Sequence, residues 1–79
     1  MPQPTLAQLG AAIRELREER ALTIETLADE AGLHAVSVSR IETGNQNPTW
    51  TALTGIAVAL EVNVGEIVQR AGGRQGREG

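Results

Sequence analysis

The chain has 79 residues, of which 41% are apolar and 22% charged, proportions that fit one small folded domain and exclude a disordered or collagen-like chain. It contains no cysteine, which excludes disulfides, thiolate catalysis and cysteine-ligated zinc and is compatible with a reducing, cytoplasmic location. Seven arginines and no lysines face ten acidic residues, giving a net charge of -3, which argues against a general polyanion binder.

The whole chain is predicted to be helical, because no stretch shows the alternation of a strand and the only aromatic residue is Trp50. The first helix runs from about Thr5 to Arg20, with a capping box formed by Thr5 and Gln8. The second follows the cap Thr23 and ends at Gly32, a residue type that commonly closes a helix in the left-handed conformation.

A third helix is predicted from His34 to Thr43, three residues after the second, and a polar loop follows Gly44. Thr49 caps a fourth helix that continues to Leu60. Asn63 and Glu66 form a capping box that opens a fifth helix, expected to end at Ala71. The folded domain is therefore placed at residues 5–71, between a flexible N-terminus at 1–4 and a flexible tail at 72–79.

Two short helices joined by a tight turn form a helix-turn-helix arrangement. The stretch that begins at Leu22, LTIETLADEAGLHAVSVSRIETGNQNPTWTALTGIAVALEVNVGEIV, resembles the Cro and XRE family of phage-repressor helix-turn-helix domains. The most specific pieces are LADEAG, VSRIETG, the N-x-N-P loop and V-x-V-G-E-I-V. The resemblance covers residues 5–70 and implies an all-α, five-helix, lambda-repressor-like fold that binds operator DNA as a two-fold dimer.

The third helix is predicted to read DNA bases. At about 100° per residue, Val38 and Ile41 define its core direction, with His34 close to the same line. The opposite side is small and polar enough for a major groove, where an arginine can bind guanine and small apolar groups can contact a thymine methyl. Base contacts are accordingly predicted for Ala35, Val36, Ser39 and Arg40, with Thr43 also pointing outward.

Phosphate contacts are predicted outside this helix, at the amides that begin the second and fourth helices and in the polar loop between helices three and four. For the loop, simple turn chemistry is an equally good explanation. The indole of Trp50 is expected to pack over the helix junction more readily than on a base. The predicted phosphate contacts are Thr23, Ile24, Asn45, Gln46, Asn47, Thr49 and Trp50.

Two departures from the resembled family stand out. Ile24 takes the place of a glutamine that braces the phosphate and the recognition helix in many members. Ala21 takes the place of a glycine, and alanine there would cost about 1 to 2 kcal/mol if its backbone is left-handed.

Two contacts between elements are also predicted. The resemblance implies an ion pair of Arg17 with Glu42, which lies about 70° from the core direction of the third helix. The other charges of the first helix are expected to pair locally on a solvated face. A dimer interface is predicted on the fifth helix, although its apolar residues could instead pack onto Leu53, Ala57 and Leu60 of the same subunit. The interface candidates are Val64, Ile67, Val68 and Ala71.

The sequence thus predicts a transcriptional regulator, a repressor that binds a short pseudo-palindromic operator as a homodimer. At this length it would be a compact autonomous protein or an excised domain. An antitoxin that also binds a toxin protein, and a protein-interaction module that has lost DNA binding, stay open as alternatives. No enzyme, cofactor or metal is predicted, because His34 is the only histidine and lysine and cysteine are absent. No membrane segment or secretion signal is expected, since the longest apolar run is Ile56–Leu60.

Overall fold

A computed structural model describes residues 3–76, with side chains as far as residue 73. Across this part of the chain the structure consists of helices and connecting turns, without a strand, as expected of an all-α fold. The five helices are α1 (Leu6–Glu19), α2 (Ile24–Ala31), α3 (Ala35–Glu42), α4 (Trp50–Leu60) and α5 (Val64–Gly76).

The helices begin at the predicted capping residues. Thr5 accepts a hydrogen bond from the Gln8 amide at 3.0 Å and its own amide donates to the Gln8 side chain at 2.7 Å. The hydroxyls of Thr23 and Thr49 accept from the amides three residues later. Gly32 closes α2 with a φ of 74°. Because these signals act within one or two turns, the sequence correctly places the starts of α1, α2 and α4 and the end of α2.

Two local predictions are wrong. His34 precedes α3 with an extended backbone and its side chain is exposed, not directed at the core. A helical angle does not apply to a residue that has not entered the helix. The fifth helix continues to Gly76, beyond Ala71, because a glycine disfavours a helix by only about 1 kcal/mol and does not by itself end one. Residues 1–2 and 77–79 of the predicted flexible ends lie outside the described residues.

One apolar core is shared by all five helices. Helix α1 packs against α3 and α5, while α2 packs against α3 and α4. Seven large side chains are almost completely enclosed, and every helix supplies at least one of them. They are Ile13, Leu27, Val38, Ile41, Ile56, Leu60 and Ile67.

The crossing of α1 and α3 is unusually close at Gly10. A Cβ atom added there would overlap the carbonyl oxygen of Ile41 and lie 2.5 Å from that of Glu42. The missing side chain therefore lets α1 lie directly on the last turn of α3. This contact orients the outward side of α3 relative to the rest of the domain.

The charges of α1 mostly bridge helices, contrary to the local pairing predicted. Arg14 and Glu18 form the i,i+4 pair of this face. Arg70 of α5 reaches Glu15 at 3.1 Å and Glu19 at 2.7 Å, and its hydrogen bond lowers the pKa of Glu19 below the ordinary value of 4.5. A wheel of α1 alone cannot show this, because the partner is more than fifty residues away in the chain.

Among the described residues, no helix taken singly has the length and apolar composition needed to cross a membrane. Helix α4 and residues 64–73 of α5 reach this length and apolar composition only when they are taken together, and the two segments are bent by 90° relative to each other.

Candidate functional site

One side of α3 is left uncovered by the rest of the domain. Val38 and Ile41 are enclosed in the core, while Val36 is 59% exposed and Arg40 and Thr43 are also exposed. Ser39 is half-buried between these two sides. We call Val36, Ser39, Arg40 and Thr43 the outward face; its direction is the one predicted from helical periodicity.

Ala35 differs from the other residues predicted to contact bases. It is half-buried and packs against the core cluster, so only part of its small side chain faces solvent. The outward face therefore begins effectively at Val36 and ends one turn beyond Arg40.

The end of α3 is held by a network of short-range hydrogen bonds. The Thr43 hydroxyl donates to the carbonyl oxygens of Ser39 and Arg40 at 3.1 and 3.2 Å. The Asn45 side-chain amide donates to the Thr43 hydroxyl at 3.0 Å, and its backbone amide donates to the Arg40 carbonyl at 2.8 Å. The Asn45 side chain thus serves the turn itself, which favours the turn interpretation at this position.

The rest of the loop leaves polar groups at the surface beside the outward face. Asn47 is exposed and Gln46 half-buried. Gly44 turns the chain with a φ of 80°, and a Cβ atom there would lie 2.9 Å from the Cα atom of Ala7. The loop is therefore held against the first turn of α1.

Helices α2 and α4 each point an amide-rich first turn at the surface. Thr23 and Thr49 are exposed, and each hydroxyl satisfies one amide of its helix. The earlier amides of a first turn have no carbonyl partner within their helix. Ile24 is half-buried and packs against the core, so only its backbone is placed to contribute a donor.

Trp50 is 70% exposed at the first position of α4. The prediction that its indole packs over the helix junction is therefore wrong. The core below α4 is filled by residues further along the helix, Ala52 and Ile56, which leaves the first residue outside. An exposed indole presents an N–H donor and a flat apolar surface next to the cap of α4.

The ion pair predicted between Arg17 and Glu42 is present and has a third partner. The Arg17 Nε donates to one Glu42 oxygen at 2.7 Å and Nη2 donates to the other at 3.1 Å. Its remaining Nη1 donates to the carbonyl oxygen of Leu22 at 2.8 Å. The side chains of Arg17 and Glu42 are only 12% and 3% exposed, and the hydrogen bond with Glu42 raises the pKa of Arg17.

This arrangement joins three parts of the site. Arg17 lies near the end of α1, Leu22 directly precedes the cap of α2, and Glu42 is the last residue of α3. The contact with Leu22 was missed by the sequence analysis because a backbone carbonyl carries no residue-specific signal.

The dimer candidates on α5 divide into buried and exposed residues. Ile67 and Ala71 are fully enclosed within the subunit, so the prediction that they contact a second copy is wrong. Val64 is half-buried and packs against the core, and Val68 is 40% exposed. Apolar content alone could not separate the two groups, because the sequence does not say how deeply α5 docks.

Within residues 3–73, no three histidine, aspartate or glutamate side chains lie close enough together to hold a metal ion. His34 is exposed and its side chain makes no hydrogen bond to the start of α3.

Comparison with protein families and known proteins gives consistent matches. A family model described as a helix-turn-helix domain matches residues 8–69. Over 68 residues the chain is 35% identical to the HTH-type transcriptional repressor RghR of Bacillus subtilis (strain 168), an alignment that covers 85% of the chain and 50% of that protein. Over 60 residues it is 37% identical to the immunity repressor protein of Bacillus phage phi105, covering 76% of the chain and 42% of that protein. The chain thus spans half or less of the length of these curated relatives.

Two solved structures are similar over most of their length. The restriction-modification controller protein C.AhdI from Aeromonas hydrophila superposes with a TM-score of 0.77 at 34% identity, covering 78% of this chain and 94% of that one. The clp gene regulator ClgR from Corynebacterium glutamicum superposes with a TM-score of 0.89 at 27% identity, covering 98% of this chain and 83% of that one.

Proposed function

Because the chain belongs to the helix-turn-helix domain family, we propose that it is a DNA-binding transcriptional regulator that acts as a repressor. Curated relatives are named as repressors, and C.AhdI is named as a controller protein. The observation that carries the proposal is the outward face of α3, which exposes Val36, Arg40 and Thr43 to solvent on a helix whose other side is buried in the core.

In the proposed complex α3 lies in the major groove. Arg40 donates two hydrogen bonds to a guanine and Val36 contacts the methyl group of a thymine. These two residues are one helical turn apart, so they contact bases close together in the same half-site. Ser39, which lies between Val36 and Arg40 in the chain, makes a further contact to the bases. The exposed edge of Ala35, which precedes Val36, makes another.

Uncharged donors position the domain on the sugar-phosphate backbone. The first-turn amides of α2 and α4, with the side chains of Thr23 and Thr49 beside them, approach phosphates on either side of the groove. Asn47, Gln46 and the indole N–H of Trp50 extend this set of donors. Asn45 contributes mainly by holding the turn that presents them.

The proposed working form is a homodimer on a short pseudo-palindromic operator. One domain contacts only a few base pairs, and two-fold pairing places two recognition helices about 34 to 36 Å apart, one turn of the duplex. Val68 supplies the exposed apolar group that α5 offers to a second copy.

A second function, binding a protein such as a toxin without binding DNA, is favoured by the acidity of α2. Glu25, Asp29 and Glu30 are exposed, and α2 contains no basic residue. Such a surface repels phosphates and suits a basic protein partner.

Selection from a random-sequence duplex library tests the proposal and separates the two functions. Wild-type protein is expected to enrich a two-fold motif; failure of the folded protein to enrich any sequence would leave protein binding as the function. Against the enriched duplex, Arg40→Ala should weaken binding by about 1 to 3 kcal/mol and relax the preference at one base step. Asn47→Ala should weaken binding to all DNA sequences equally. An unchanged base preference in Arg40→Ala would contradict the assignment of that side chain.

A further inference from the structure

Most of the arginines whose side chains the structure describes form ion pairs with carboxylates of the same chain. Among residues 3–73, whose side chains the structure describes, four of the five arginines form ion pairs at 3.4 Å or less. The exception is Arg40, on the outward face. The paired arginines are Arg14 with Glu18, Arg17 with Glu42, Arg20 with Glu61, and Arg70 with Glu15 and Glu19.

A paired arginine is poorly suited to neutralise a phosphate. Even where an exposed ion pair opens at little cost, its carboxylate stays close to the DNA and offsets the positive charge of the arginine. For Arg17 the opening of the pair is blocked by burial, since its side chain is 12% exposed and also bonded to the Leu22 carbonyl. Arg70 would have to leave two glutamates at once.

The residues around the outward face also supply little positive charge for phosphate contacts. Residues 33–50 contain one arginine and one glutamate, Arg40 and Glu42. Glu42 is 3% exposed and neutralised by Arg17, so this surface presents the single positive charge of Arg40. The neighbouring α2 adds only carboxylates.

We propose that this domain binds DNA with very little release of counterions, because Arg40, bound to a guanine in the groove, is the one unpaired cation that it brings close to the phosphates, while uncharged donors make the backbone contacts. This inference rests on the proposed function and adds how the DNA partner is held. The chain then binds unrelated duplexes weakly, because non-specific binding depends on charge, and it keeps its specific complex as the salt concentration rises.

The salt dependence of binding measures the number of cations directly. The logarithm of the binding constant falls with the logarithm of salt concentration with a slope of about -0.9 for each phosphate neutralised. One cation per domain gives a slope of about -1 per domain and about -2 for a dimer, so a fourfold rise in salt weakens a dimer about tenfold. A DNA-binding protein with about 6 to 10 charged phosphate contacts loses about 1,000-fold or more over the same range.

The experiment uses the full chain and the duplex enriched by selection, titrated over a range of salt. Arg40→Gln and Arg14→Gln change the net charge equally, but only the first removes an unpaired arginine. A double variant, Arg74→Gln with Arg77→Gln, covers the two arginines whose side chains lie outside the described residues. Helical circular dichroism verifies that every variant is folded.

The expected result is a slope of about -1 per domain that approaches zero in Arg40→Gln and is unchanged in Arg14→Gln and in the double variant. A slope of -3 or steeper per domain in the wild-type chain overturns the proposal, as does a slope that falls in Arg14→Gln or in the double variant as much as in Arg40→Gln. Absence of binding to any duplex at the lowest salt would instead contradict the proposed function itself.

Discussion

At the scale of single residues, Arg17 stabilises the buried negative charge of Glu42. The two oxygens of Glu42 each accept a hydrogen bond from that guanidinium, and the side chain is only 3% exposed to water. Arg17→Gln is expected to lower the free energy of unfolding by about 3 to 5 kcal/mol, because removing one partner leaves an uncompensated buried charge. Urea unfolding measures the loss.

Arg14→Gln is the matched control for this prediction. It removes the same group from the same helix, but its pair with Glu18 is more than half exposed at both ends. An exposed i,i+4 pair contributes at most about 0.5 kcal/mol. Equal losses in Arg17→Gln and Arg14→Gln would contradict a special role for the buried pair.

Ala21 is held in a backbone conformation that favours glycine. Its φ is 58° in the turn between α1 and α2, as anticipated from the glycine that the resembled family has at this position. Ala21→Gly should raise the free energy of unfolding by up to about 1 kcal/mol. The left-handed strain that is relieved exceeds the free-energy cost of the extra flexibility that glycine gives the unfolded chain. Thermal and denaturant unfolding measure the gain.

The reverse substitution at Gly32 provides the comparison. Its φ is 74°, and a Cβ atom added there meets nothing within 4 Å. Gly32→Ala should therefore destabilise the domain through the backbone alone, by about 1 to 2 kcal/mol. If both substitutions shifted stability in the same direction, the strain argument would fail.

At the scale of elements, the crossing of α1 over α3 depends on Gly10. Helix propensity favours alanine over glycine by about 1 kcal/mol, but a Cβ atom at Gly10 would overlap the Ile41 carbonyl. Gly10→Ala should destabilise the domain by about 1 to 3 kcal/mol, because two packed helix backbones have to separate. Since α3 shifts with the contact, DNA affinity should fall even where the variant is folded.

Gly72→Ala isolates the propensity effect from the packing effect. Gly72 lies in α5, and a Cβ atom there meets nothing within 4 Å. This variant should gain up to about 1 kcal/mol. Stabilisation of both Gly10→Ala and Gly72→Ala would show that the close crossing places no restriction on position 10.

At the scale of the whole molecule, dimerisation is expected to depend on Val68. Of the four apolar residues proposed on α5, it is the most exposed, at 40%. Val68→Glu should abolish the dimer and keep the helical signal, because a charge there is solvated in the monomer and buried unpaired in the dimer. Analytical ultracentrifugation across micromolar concentrations measures the association.

Val36→Glu serves as the opposite control. It places the same charge on another exposed valine, on the outward face of α3. The dimer should persist while DNA binding is lost through repulsion by the phosphates. A wild-type chain that stays monomeric at all concentrations, with and without the enriched duplex, would rule out the dimer.

The sequence by itself determined the features that act over one or two helical turns. Capping residues at Thr5, Thr23 and Thr49, together with apolar periodicity, predicted the five helices and the outward face of α3, because both signals are local hydrogen-bonding and packing preferences. The Arg17–Glu42 pair was predicted only through the resemblance to a known family. No local signal connects residues on different helices.

The tertiary structure alone decided how deeply each helix is buried and which charges meet. It enclosed Ile67 and Ala71, left Trp50 in solvent and brought Arg70 to the glutamates of α1. It also showed that Arg40 is the arginine without a carboxylate partner among the described side chains. Burial and ion pairing between distant residues depend on how helices dock, and docking depends on backbone approaches such as the one at Gly10, which composition and periodicity do not encode.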